Sequence, residues 1–74
     1  MIRFISGKRC GFCRQMKPIF ERVCRDLGKK YKEEYIEDTK LDDITSVPCI
    51  IREDGKRMFG GGKSYAQIRD FING

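Results

Sequence analysis

Two cysteines separated by a glycine and a phenylalanine, Cys10-Gly11-Phe12-Cys13, lie where the hydrophobic pattern of the chain changes period. Before them, "IRFI" (2–5) is a short apolar-rich run broken by Ser6 and Gly7, the pattern of a buried strand. After them, Met16, Ile19, Phe20, Val23, Cys24 and Leu27 recur at three- and four-residue steps, as on the apolar face of an amphipathic helix. The thiol pair is therefore expected between a strand and the start of a long helix.

The remaining pattern supplies partners for both. Gly28 is a good helix stop, with Lys29 and Lys30 near the negative end of the helix dipole. Pro18, about two turns inside, should kink the helix or remove one hydrogen bond. "KYKEEYIED" reads as a second strand ending near Glu37, and "DTKLDDITS" leaves room for one or two helical turns capped by Asp38 or Thr39. "PCIIR" and "KRMFG" are two strands around Glu53-Asp54-Gly55, a strong hairpin signal. Gly60, Gly61 and Gly62 form a flexible joint, and Ser64 with Gln67 makes a capping-box pattern. Tyr65, Ile68, Phe71 and Ile72 give the last helix its apolar face. The order β-α-β-(short α)-β-β-α predicts an α/β fold: a four-stranded mixed sheet flanked by helices, with the first two strands parallel.

At 74 residues the chain is expected to form a single domain over 1–74, near the lower limit for a self-sufficient core. With 36% charged and 39% hydrophobic residues it suits a soluble folded domain. No apolar run approaches the roughly 18 residues of a membrane span, and "MIRFISG" is too short and too soon broken to be a secretory signal. A cytoplasmic, reducing location is expected. The net charge of +5 is dispersed and mixed with acids, so neither nucleic acid nor membrane is expected as a partner.

A thiol pair at such spacing has three meanings: a redox couple, half of a metal site, or two small buried residues. The chain has no histidine, which removes mixed Cys/His zinc sites and any Cys–His nucleophile pair. Thiolate rather than thiol attacks a disulfide, and a free cysteine with a pKa of about 8.5 is mostly inert near neutrality. At a helix start, unpaired backbone N–H groups carry roughly half a positive charge. Lys8, Arg9, Arg14 and Lys17 add to that field. Cys10 is thus expected to be the nucleophile, with a lowered pKa, and Cys13, one turn on, the resolving thiol.

This combination resembles the thioredoxin superfamily, specifically its small glutaredoxin-like members. "CGFC" (10–13) is similar to the active-site motif, "SVP" (46–48) to the Val-Pro element, and "GGGKS" (60–64) to the Gly-Gly turn before the last helix. The resemblance implies a thioredoxin-like fold and a redox-active disulfide serving electron transport. It implies a cis Pro48 beside the cysteines, with the Val47 backbone pairing a bound peptide or glutathione. On that basis Lys8, Arg9, Phe12, Val47, Pro48, Gly61, Gly62, Lys63 and Ser64 are expected to contact substrate. No bound cofactor is expected, only glutathione as a co-substrate. Partners would be a disulfide-containing protein and either glutathione or a flavoprotein of the thioredoxin-reductase type, acting on a monomer. Lys63 and Ser64 stand where glutathione-binding members usually carry an acid. "CGF" also resembles the CGFS motif of monothiol glutaredoxins, which makes iron–sulfur cluster carriage the alternative.

Two further cysteines complete the set. Cys24 lies on the helix stripe, about 16 Å from Cys13 at the α-helical rise, beyond disulfide reach. It reads as a core residue. Cys49 follows Pro48 and is expected to face the core; a third thiol at the site is the other reading. Tyr65 is expected to pack in the core, and Phe12 to be partly exposed and to contact a partner.

Overall fold

A computed structural model describes all 74 residues. The elements are β1 (Ile2–Ser6), α1 (Gly11–Asp26), β2 (Tyr31–Tyr35), a 3-10 turn at Ile36–Asp38, β3 (Cys49–Ile51), β4 (Arg57–Phe59) and α2 (Tyr65–Asn73). The strands form one sheet in the order β2-β1-β3-β4. β1 pairs parallel with β2, Ile2 opposite Tyr31 through Ser6 opposite Tyr35. It pairs antiparallel with β3, Phe4 opposite Ile50, and β3 pairs antiparallel with β4. The mixed four-stranded sheet expected from the pattern is present.

Strand alternation sorts the side chains into two layers. Ile2, Phe4 and Ile50 join Met16, Phe20, Val23 and Cys24 of α1 and Ile68 and Ile72 of α2 in the main core. Phe4 stacks on Phe20 with ring centroids 4.9 Å apart, and Tyr31 meets Phe20 edge-on at 5.2 Å. The alternate residues Ile5, Cys49 and Ile51 form a smaller cluster on the opposite face, covered by Ile36, Leu41, Ile44 and Val47. Both helices therefore lie on one face, and irregular chain covers the other. This corrects the expectation that helices flank the sheet on its faces.

The short second helix is corrected too. The helical turn forms at Ile36–Asp38, earlier than expected, and Thr39 closes it by directing its N–H and hydroxyl to the Ile36 carbonyl. Residues 39–48 continue as turns and bends. From this irregular path Ile36, Leu41 and Ile44 all pack on the sheet.

α1 runs unbroken through Pro18. It ends as the sequence indicates: Gly28 has a φ of +66°, and the Lys29 N–H returns 2.8 Å to the Cys24 carbonyl. The α2 start shows the full capping box, with the Gln67 N–H donating to Ser64 Oγ and the Ser64 N–H to Gln67 Oε1. The hairpin turns at Gly55, whose φ is +89°.

Candidate functional site

Cys10 sits at the N-cap of α1 in extended conformation, and the Cys13 N–H donates to its sulfur at 3.2 Å. A side chain that accepts a bond at this position meets one of the four donors a helix start leaves unpaired. Here a sulfur takes the place that serine or aspartate usually fills. Cys10 and Cys13 form a disulfide, with their Cα atoms 5.2 Å apart. Cys10 is half-buried and Cys13 is buried, so solvent reaches the first sulfur more readily.

Two segments close around the pair. The 47–48 peptide bond is cis, Pro48 is buried, and the Val47 carbonyl lies 3.9 Å from the Cys10 sulfur. The glycine turn docks on the same segment, the Gly60 N–H donating to the Pro48 carbonyl at 2.9 Å. Gly61 in turn lies against Phe12: a Cβ there would stand 2.5 Å from the Phe12 Cβ, so only glycine fits. The Phe12 ring is nonetheless 61% exposed. Val47, Pro48, Gly61 and Phe12 are thus brought together with the cysteines. Gly62 follows with a φ of +74°.

The cations divide. Arg9 and Arg14 are exposed and in no ion pair, and the half-buried Lys63 has none either. Lys8 instead turns to the 36–38 turn. Its N–H points at the Glu37 carboxylate at 3.2 and 3.3 Å, and its ammonium meets Asp38 at 3.3 Å. Lys17 pairs with Glu33 of β2 at 3.0 Å, which raises the lysine pKa. Ser64 faces its own helix, since the capping box occupies both its hydroxyl and its N–H.

Sequence reasoning missed several neighbours of the pair. Gly7 lets the loop before Cys10 approach closely: a Cβ there would lie 3.2 Å from the Val47 side chain and 3.4 Å from the Cys10 Cβ. Glu33 and Tyr35 line a small open cleft beside Cys13 with Ser6, Arg14 and Lys17. The signal for them was present in the period-2 pattern of "YKEEY", which turns residues 31, 33 and 35 toward α1.

The other two cysteines are fully buried, on opposite faces of the sheet. Burial pushes the Cys24 thiol up to about 11, and it also raises Cys49, opposed by Arg57 and reinforced by Asp43. Both are core residues, and Cys49 is not a third thiol at the surface of the site. No group of three or more Cys, Asp or Glu side chains converges as a metal-binding set, and no helix is long and apolar enough to cross a membrane. Comparison of the chain with protein-family models, curated proteins and solved structures gives no match.

Proposed function

We propose that this chain is a dithiol thiol–disulfide oxidoreductase of the small glutaredoxin-like type, with a thioredoxin-like fold. The observation that carries the reading is the Cys10–Cys13 bridge at the α1 N-terminus, packed against the cis Val47–Pro48 segment and the Gly60–Gly62 turn. A redox couple needs two sulfurs within bonding reach, one of them accessible, and these two meet both conditions.

The reaction begins from the reduced pair. Cys10 ionises most readily, because the helix N-terminus and the unpaired Arg9 and Arg14 favour an anion there. Its thiolate attacks one sulfur of a substrate disulfide. The Cys10–substrate bond forms, the substrate S–S bond breaks, and the other substrate sulfur leaves as thiolate and takes a proton from water. Cys13 then gives its proton to solvent and attacks the Cys10 sulfur, so the Cys10–Cys13 bond forms and the second substrate sulfur departs. The substrate gains two electrons and two protons, and the protein ends in the bridged state. A thiol donor, glutathione or the dithiol of a flavoprotein reductase, returns the electrons. Val47 offers its backbone to the substrate chain, and Phe12 with Gly61 forms the rim beside it.

The test is turnover with NADPH and either glutathione plus its reductase or thioredoxin reductase. Activity with one of them identifies the donor. Cys10→Ser should lose all turnover. Cys13→Ser should lose reduction of protein disulfides and keep a one-thiol step with mixed disulfides. No turnover with either donor, together with visible absorbance after supply of iron and sulfide, would move the chain from reductase to cluster carrier.

A further inference from the structure

Resting on the oxidoreductase reading, the arrangement of charge around Cys10 indicates which disulfides the site takes. Arg9, Arg14 and Lys63 carry no carboxylate partner. Arg9 directly precedes Cys10, Arg14 directly follows Cys13, and Lys63 lies two residues past the glycine that supports Phe12. Phe12, the most exposed aromatic residue of the protein, packs against the Gly61 side of the site, whereas Arg14 lines the cleft beside Cys13 on the β2 side, so cationic and apolar contacts lie on either flank of the half-buried Cys10.

Several of the donors that would anchor a small carboxylate ligand at the α2 start and at Lys8 are filled from within. The Ser64 N–H at the start of α2 is taken by Gln67 Oε1 at 2.8 Å, and the Gln67 N–H by Ser64 Oγ at 3.2 Å. The Lys8 N–H and ammonium face Glu37 and Asp38. A ligand of tripeptide size has little surface to bury and depends on such anchors. A protein segment does not: it can lay an apolar side chain on Phe12 and place acidic side chains against Arg9 and Arg14. Complementary charge of this kind raises the encounter rate and selects among partners.

We propose that the substrate class of this site is a disulfide borne on an acidic protein segment, with an apolar residue beside the attacked sulfur, in preference to glutathione disulfide. The test uses the full chain, reduced and freed of reductant, in single-turnover reaction with three peptides of equal length. Each carries the same intramolecular disulfide flanked by acidic, neutral or basic residues, and glutathione disulfide is the fourth substrate. The second-order rate constants should fall in the order acidic, neutral, basic. The acidic peptide should exceed the basic one about tenfold or more at low salt, and glutathione disulfide should react more slowly than the acidic peptide. The spread should collapse toward unity in about 0.5 M salt. Arg9→Glu combined with Arg14→Glu should invert the ratio of acidic to basic peptide. Equal rates for the three peptides, a spread indifferent to salt, or glutathione disulfide outrunning the acidic peptide overturns this inference and leaves the oxidoreductase reading standing. Failure to reduce any of the four overturns both.

Discussion

On the face of the sheet that meets the helices, nine buried residues drawn from β1, α1, β3 and α2 make one continuous core. On the other face three buried residues, Ile5, Cys49 and Ile51, are roofed by half-buried Ile36, in the short 3-10 turn, and by Leu41, Ile44 and Val47 on the irregular chain that follows it. That second face also carries ion pairs. Arg3 of β1 pairs with Glu34 of β2, and Arg57 of β4 with Asp43 of the roof, partly exposed ion pairs that add little to the smaller apolar cluster. The site lies where the two meet. Its cysteines open the helix that anchors the strong face, and Val47 and Pro48 end the segment that covers the weak one. Elements with few buried contacts open at lower free energy than a core. The Val47–Pro48 segment is thus attached to the more yielding half, and the two bridged sulfurs to the firmer one.

The largest test of this contrast is truncation on the helix face. Phe20→Ala removes a fully buried ring that touches Phe4 and Tyr31, and should cost about 3–5 kcal/mol in urea denaturation. Next, the free thiols report opening on each side. Partial alkylation of the reduced protein in mild urea, mapped by mass spectrometry, should modify Cys49 about tenfold faster than Cys24, a difference of about 1.4 kcal/mol in opening. Equal labelling would break the contrast outright. Leu41→Ala, on the roof, should cost only about 1 kcal/mol, and a loss matching that of Phe20→Ala would show the two faces to be equivalent.

The smallest effect concerns pH. The hydrogen bond from Arg3 holds the Glu34 carboxyl below its ordinary value of 4.5, against a smaller opposing effect of burial. A depressed carboxylate contributes stability above its unfolded pKa and loses it as pH falls through the folded one. The difference in denaturation midpoint between the natural chain and Arg3→Gln should therefore be full at neutral pH and vanish in acid. It should amount to about 1 kcal/mol or less, because the pair is only partly sheltered from water.

How legible these faces were differs in the same way. The helix face was written in two plain periods: 3.6 residues along Met16, Phe20, Val23 and Cys24, and 2 residues along Ile2 and Phe4. Gly28, the Ser64–Gln67 box and Asp54-Gly55 marked their boundaries because each supplies a backbone conformation or a hydrogen bond that few residues can. The roof carries no period. Its Asp and Thr residues favour local turns over any repeating element, and only the sheet beneath decides where Ile36, Leu41 and Ile44 rest. At the site, the motif residues were legible. The commitment of Lys8 to Glu37 and Asp38 was not, because it joins residues 29 and 30 positions apart and exists only once β2 lies beside β1.

Cys10 is the acceptor that starts α1. Atom and scaffold are therefore joined: the bond from the Cys13 N–H to that sulfur belongs to the first turn of the sixteen-residue helix. A change at that sulfur is therefore a change in the first turn of the element that carries Met16, Phe20, Val23 and Cys24.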